Sequence, residues 1–349
     1  MDLRDLSRTL VDGGVATHVA AGFSRRIRGR CDRAAGGDTQ TIFDLASLTK
    51  PVCALAVATL PGLRGAALAD LVSAARETVS AAASIELLLA HRAGLEAHAS
   101  LYEPLVTGAP FDVAHALGVA ARARRSDVTG SLPPEGAPPV YSDLGYLLAG
   151  RALAEYTQTV DAGEAMRRRV LAPLGIDAIL GTAAALGLAS RGGEVAPTED
   201  VSWRGGVIRG VVHDENAWAM SGLGGSGHAG MFGTVEAVLK LGEAALDLVR
   251  GRPCALGALD ITWMVRERPG GTLRAGFDGK SATGSSAGTV LSPRTFGHLG
   301  FTGTSVWIDP EQDIVVALLT NRVFPSRGNT KIREARPFAH DALARAALR

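Results

Sequence analysis

Apolar residues recur at helical spacing from Asp2 to Val11, and Gly13-Gly14 stops the pattern. Val15 to Ala21 and Ser24 to Cys31 then read as two strands of a hairpin, the second so rich in arginine that one of its faces is expected in solvent. Gly36-Gly37-Asp38 reads as a turn. The apolar run that begins at Pro51 predicts a helix opening at Ser47 and running to about Leu60, where Pro61-Gly62 ends it. Ser84-Ile85-Glu86 ahead of Leu87 to Ala90 has the form of a capped short helix. Helical periodicity also covers Pro110 to Arg125, Ser142 to Tyr156 and Asp161 to Leu171. A proline-rich loop, Ser131 to Pro139, delivers Tyr141 to the start of the second of these.

After about Ala196 the texture changes. Glycine-rich loops at Trp203 to Gly206 and Gly222 to Gly233 are of a kind that lines sites. Thr234 to Val249 is a strongly amphipathic helix and Asp260 to Arg266 a shorter one. Three strands follow, Gly297 to Phe301, Ser305 to Asp309 and Asp313 to Leu319, with turn chemistry at Asp309-Pro310-Glu311. A last helix, Ile332 to Leu348, closes the pattern. Strands near both ends and helices between them predict an α+β fold: a mostly antiparallel sheet domain built from residues 1–65 and 200–349, with a mainly helical region, 66–199, inserted. The crevice between the two parts is the natural place for a site, and Ser47 falls at that seam.

Composition narrows the function classes. A chain of 349 residues with 46% hydrophobic content can bury a sizeable core. Its 36 basic and 35 acidic residues leave a formal charge of +1 with no long single-sign run, so neither nucleic acid nor an anionic membrane is implied. The densest basic clusters, Arg122-Arg124-Arg125 and Arg167 to Arg169, read as solvated helix faces. Cys31, Cys53 and Cys254 are too few and too scattered for a disulfide framework or a zinc site, and no metal or cofactor is expected. Met1 to Gly14 lacks the uninterrupted apolar region of a secretory signal, and Pro51 to Leu63 is too short to span a bilayer; a cytoplasmic protein without a membrane anchor is expected.

The candidate chemistry centres on Ser47-Leu48-Thr49-Lys50. A serine and a lysine at i and i+3 share one helix face, so the ammonium reaches the hydroxyl within a turn. A helix cap with its lysine in solvent gives the same spacing. With four lysines and 20 serines in the chain, chance predicts roughly 0.2 Ser-x-x-Lys matches, and one is present. Two later stretches sharpen the signal: Tyr141-Ser142-Asp143, which follows a loop and opens a helix, and Gly297-His298-Leu299-Gly300-Phe301-Thr302-Gly303 on a predicted strand. In order and spacing these resemble the serine β-lactamase-like superfamily of class C β-lactamases, D-alanyl-D-alanine peptidases and related esterases. Leu89 to Leu95, Val212-His213-Asp214, Gly227 to Gly230, Trp307 to Pro310 and Leu319 to Arg322 look like further landmarks, so the resemblance covers most of the chain.

That resemblance implies a mostly antiparallel sheet with terminal helices, an all-helical region and a site between them. It makes Ser47 the acylated nucleophile, Lys50 its base or electrostatic helper, and Tyr141 the general base or the acid to the leaving group. The backbone N–H groups of Ser47 and Phe301 become the oxyanion hole, and Asp143, His298, Leu299 and Gly300 contact the substrate. The pattern departs from the family at Asp143, where an asparagine amide usually stands, and at Leu299, which lacks the usual hydroxyl for a substrate carboxylate. The expected activity is therefore hydrolysis of small esters or amides. A D-alanyl-D-alanine carboxypeptidase or weak class C-like β-lactamase is the alternative within the same chemistry, with a peptide or β-lactam substrate. A non-catalytic penicillin-binding or sensor-like module is the alternative outside it. His91 and Asp214 read as structural hydrogen-bonding groups, as do His213 and His228, for which a place in cleft loops leaves substrate contact as the alternative. Trp203, Trp218 and Trp307 read as packing residues, although Trp218 lies in a stretch expected to line the site.

Overall fold

The computed structural model describes residues 2–349. Helix α1 (Leu3–Asp12) leads into the hairpin β1 (Val19–Ile27) and β2 (Arg30–Gly37), then the two-residue strand β3 (Phe43–Asp44) and helix α2 (Thr49–Ala58). The helical region carries α3 (Leu68–Leu71), α4 (Ile85–Leu89), α5 (Glu103–Val106), α6 (Val113–Arg122), α7 (Asp143–Thr157) and α8 (Ala162–Met166), the last continued to Leu171 by a π-helical turn. Strand β4 (Leu180–Thr182) follows, then the ribbon of β5 (Asp200–Val201) and β6 (Gly206–Val207), helix α9 (Glu215–Ser221), strand β7 (Met231–Gly233), and helices α10 (Val235–Val249) and α11 (Thr262–Val265). Strands β8 (Asp278–Gly279), β9 (Phe296–Leu299), β10 (Ser305–Asp309) and β11 (Ile314–Thr320) precede α12 (Ile332–Ala347).

The main sheet is antiparallel with strand order β2-β1-β11-β10-β9-β8, so the two ends of the chain pair as β1 and β11. Both faces are covered. Along β11, Ile314, Val316 and Leu318 enter a core with Leu6, Leu10, Trp307 and Leu343, beneath α1 and α12. Val315, Ala317 and Leu319 point the other way, into the core that contains α10 and the helical region. Period-two alternation with both faces buried is why this strand reads as an unbroken apolar run. Among the described residues no helix is long and apolar enough to cross a membrane.

Several expected boundaries move, and close packing explains them. The hairpin turns at Arg28-Gly29, with φ of 50° and 80°, rather than near Gly22. Gly22 lies within β1 because α10 presses on it: a Cβ there would stand 3.1 Å from Leu239 Cδ1. Gly36-Gly37 likewise ends β2 instead of forming a turn, since a Cβ on Gly36 would meet the backbone of Leu3 at 2.6 Å. Strand β9 stops at Leu299, leaving Phe301 in a turn closed by the Gly303 N–H on the Gly300 carbonyl. Arg125 is not a solvated residue; it is buried, paired with Asp127 and donating to the Pro138 carbonyl. The stretch Met231–Gly233, expected as loop, is the central strand of a small sheet, β3-β7-β4, that anchors the chain just ahead of Ser47.

Helix α7 crosses the loop 224–230 at closest approach through two glycines. A Cβ on Gly150 would sit 2.5 Å from the Gly227 nitrogen and 2.6 Å from its Cα. In an ordinary helix interior Gly→Ala stabilises by about 1 kcal/mol. At Gly150 the clash is with backbone, so Gly150→Ala is expected to destabilise by about 1–3 kcal/mol, read as a lower urea midpoint with an unchanged slope. A midpoint at or above that of the parent protein would show that α7 and the loop can separate freely.

Candidate active site

Ser47 projects from a tight turn built on Asp44. The buried Asp44 carboxylate accepts the Ala46 N–H at 2.8 Å and the His213 N–H at 2.7 Å. This turn holds Ala46 at φ 47°, a left-handed conformation that a non-glycine residue adopts only when its surroundings impose it. A 3-10 turn over Ala46–Leu48 then feeds α2. Thr302 and Thr304, after β9, donate their hydroxyls to the Asp44 and Leu45 carbonyls at 2.7 and 3.0 Å, which fixes the turn carrying Phe301 beside Ser47. Among the described residues the Phe301 N–H has no acceptor.

Lys50, one turn after Ser47 and the second residue of α2, has no exposed side-chain surface. Its Nζ donates to Ser47 Oγ at 2.8 Å, Asp143 Oδ1 at 2.6 Å and the His228 carbonyl at 3.5 Å. These three acceptors match the three hydrogens of an ammonium. Because Ser47 Oγ accepts from Lys50, the serine's own proton is left for another partner. Tyr141 is placed for that, with its ring centroid 4.7 Å from Lys50 Nζ and its phenol near Ser47.

The electrostatics follow from Asp143. Burial opposes charge on Lys50, but Asp143 and then Tyr141 outweigh it and hold the lysine pKa above that of a free side chain. Burial likewise pushes the Asp143 pKa up, and Lys50 and His228 more than offset it, so the carboxyl stays ionised. For Tyr141 burial dominates and raises the phenol pKa; Lys50 pulls it down while Asp143 pushes it up. The resting pair is thus an ammonium and a carboxylate, with a neutral phenol beside them. Burial, and after it the charge on Lys50, lowers both His91 and His298 to about 3, so both rings are neutral.

A cleft of about 460 Å³ opens over this group, lined by Ser47, Tyr141, Asp143, Leu299, Gly300 and Phe301 among others. Lys50 and His298 lie behind the lining. His298 is buried, donates through Nδ1 to the Leu299 carbonyl at 2.9 Å and sits 6.0 Å from the Tyr141 ring. His213 reaches the cleft with its ring stacked on Phe301 and its Nε2 2.9 Å from Glu199. His228 is buried; it pairs with Asp214, the N-cap of α9, and offers the cleft floor only its carbonyl to Lys50. Trp218 packs on Trp203 beneath the Arg204 guanidinium and does not line the cleft.

Sequence reasoning missed the arginines. Arg322 and Arg336 line the cleft beside the Gly300-Phe301 turn, and among the described residues neither is ion-paired. Arg336 donates through Nη2 to the Gly300 and Thr304 carbonyls, while its buried Nε has no acceptor. Burial, and then the neighbouring Arg322, lowers its pKa to about 10. The periodicity of α12 marks an amphipathic helix and carries no sign that one polar position faces another element's cleft.

Comparison with known proteins bears on the family and the fold. The family model described as Beta-lactamase covers residues 8–339. A putative D-alanyl-D-alanine carboxypeptidase of Salmonella gallinarum is 29% identical over 210 residues, 55% of this chain and 47% of that protein. The chain therefore spans about half the length of the curated relatives it matches. Among solved structures, a class C β-lactamase of Rhodobacter sphaeroides aligns with a TM-score of 0.66 at 16% identity, covering 99% of both chains. EstCE1, described as a hydrolase with promiscuous acyltransferase activity, aligns with a TM-score of 0.67 at 19% identity, covering 96% of this chain and 97% of its own. A penicillin-binding protein homologue from Caulobacter crescentus aligns with a TM-score of 0.63 at 18% identity, covering 98% of each. At these identities the structures establish the fold.

Asp143→Asn tests the electrostatic reading. Removing the carboxylate removes a group that raises both the Lys50 and Tyr141 pKa values, so the acidic limb of the kcat/KM profile for a neutral substrate is expected to move down by about 1 pH unit or more. A limb that stays in place would show that ionisation of this group does not limit turnover.

Proposed function

The chain belongs to the β-lactamase family, whose members are serine hydrolases, and we propose that this protein hydrolyses small esters or amides through an acyl-enzyme on Ser47. The observation that carries the reading is the 2.8 Å hydrogen bond from a fully buried Lys50 to Ser47 Oγ at the base of an open cleft. A lysine held in that position only to cap a helix would have its ammonium in water.

The proposed sequence conserves its protons. In the minor form that has first released the Tyr141 proton to solvent, Ser47 Oγ attacks the substrate carbonyl as its proton passes to the Tyr141 phenolate, whose negative charge the Lys50 ammonium stabilises. The N–H groups of Ser47 and Phe301 receive the oxyanion of the tetrahedral intermediate, a contribution worth about 2.7–4 kcal/mol per donor in other hydrolases. Tyr141 returns its proton to the departing alkoxide or amine. Water then attacks the acyl group by the same relay and releases the acid.

A second reading has its own support. Leu299 offers no hydroxyl to a substrate carboxylate, but Arg322 and Arg336, neither of them ion-paired among the described residues, supply positive charge beside the same Gly300-Phe301 turn. This favours a substrate with an anionic end, as in a peptide terminating in D-alanine.

A fluorophosphonate probe is expected to label Ser47, with the label lost in Ser47→Ala. Lys50→Ala and Tyr141→Phe should each lower kcat sharply, and the double variant should lose little more, because groups that act as a unit share their loss. Label on another residue, or none on a folded protein, would replace the hydrolase reading with a non-catalytic module.

Substrate choice is read separately with a short-chain ester and a D-alanyl-D-alanine dipeptide. Arg336→Met is expected to leave ester kcat/KM within about twofold. On any substrate carrying a carboxylate the same variant should lower kcat/KM by about tenfold or more, the scale of one charge-assisted hydrogen bond. Equal losses on both substrates would show that Arg336 holds the Gly300 turn and does not read charge.

A further inference from the structure

His91 brackets Tyr141 from three directions. Its carbonyl accepts the Val140 N–H at 3.2 Å, its Nδ1 accepts the Ser142 N–H at 3.0 Å, and its ring stacks on the phenol with centroids 4.7 Å apart at 28°. The residues immediately before and after Tyr141 and the side chain between them therefore rest on one residue, 50 positions earlier in the chain. His91 itself is firmly seated. It is buried, its ring also packs against Tyr146 at 5.1 Å, and Tyr146 is in turn fixed by its hydroxyl on the Leu89 carbonyl at 2.7 Å. Its backbone is left-handed at φ 60°, directly after the C-cap of α4, where the Arg92 N–H closes the helix on the Leu87 carbonyl at 2.8 Å.

From this we infer that His91 is the positioning residue of Tyr141, setting the reach of the phenol toward Ser47 and Lys50. The inference rests on the catalytic reading of Tyr141 given above. Tyr141 follows a proline-rich loop and precedes the first turn of α7, so neither flanking element fixes its ring. Ser142 is the N-cap of α7, with its hydroxyl occupied by the Gly145 N–H and the Glu96 carbonyl. Its N–H would otherwise be a buried donor without a partner. An imidazole nitrogen answers that need only while unprotonated, and the burial that keeps His91 neutral preserves the acceptor across the working pH range. His91 touches no reacting atom; it acts through Tyr141.

The test is a double-mutant cycle with a p-nitrophenyl ester. His91→Ala removes ring and acceptor and is expected to lower kcat about 100-fold with KM within about twofold, the cost of misplacing a catalytic group by roughly an ångström. His91→Asn keeps an acceptor near the Nδ1 position and tolerates positive φ, so it should recover at least about tenfold of that loss. In the Tyr141→Phe background, where no phenol remains to be placed, both substitutions at 91 should change kcat by less than about threefold. If His91→Ala fails to fold, His91→Asn and His91→Gln in the two backgrounds carry the same comparison. A parental kcat in the 91 variants, or equal losses in both backgrounds, would overturn the inference. A Tyr141→Phe protein with undiminished activity would instead overturn the assignment of Tyr141.

Discussion

The buried ammonium of Lys50 is the constraint around which the rest of the cleft is arranged. Taking a lysine charge out of water costs several kcal/mol unless every hydrogen finds an acceptor and a counter-charge stands nearby. The acceptors come from three separate segments: Ser47 from the turn before α2, Asp143 from the start of α7, and the His228 carbonyl from the glycine loop. None is local to the others, so satisfying one cation ties the sheet domain, the helical region and the loop together at a single point. The Gly150–Gly227 approach belongs to the same requirement. It lets the loop come close enough to α7 for the His228 carbonyl to reach the ammonium.

Two strained backbones flank that point. Ala46 precedes Ser47 and His91 supports Tyr141, each with positive φ and without the freedom of glycine. Hydrogen bonds hold both: local ones from Asp44 and Thr49 at the first, and distant ones from Val140 and Ser142 at the second. The sheet core and the packed helices supply the stability that allows such local conformations to persist. On the proposed reading of Ser47 and Tyr141, constrained backbone before the one and beneath the other sets their separation, which in a proton relay is the quantity of most consequence.

How much of this was legible in the sequence depended on range. The Ser47–Lys50 pair lies within one turn, and helix spacing alone places the ammonium on the hydroxyl. Caps at Ser84, Ser142 and Thr234, and strands such as Ser305–Asp309, follow from local propensity and alternation. The misplaced hairpin came from reading Gly22 and Gly36 as turns. In both cases the glycine exists because a helix from elsewhere, α10 or α1, leaves no room for a side chain, and no short window of sequence contains that helix. His91 and Arg336 were invisible as site residues for a related reason. One reaches its partners across 50 positions, and the other projects from a terminal helix whose periodicity announces only a buried face.

Asp143 also changes which charge a substrate meets. With an uncharged amide in its place, Lys50 would present an uncompensated cation behind the nucleophile. With Asp143 ionised, the Lys50-Asp143 pair is neutral as seen from the cleft, and the positive charge that is not ion-paired among the described residues lies with Arg322 and Arg336 beside the Gly300-Phe301 turn. On the proposed reading, Asp143 tunes the proton relay, and an anionic substrate end is met by the arginines that line the cleft. On the same reading, the hydroxyl missing at Leu299 removes a small neutral donor, and the neighbouring guanidiniums offer a charged and more directional one.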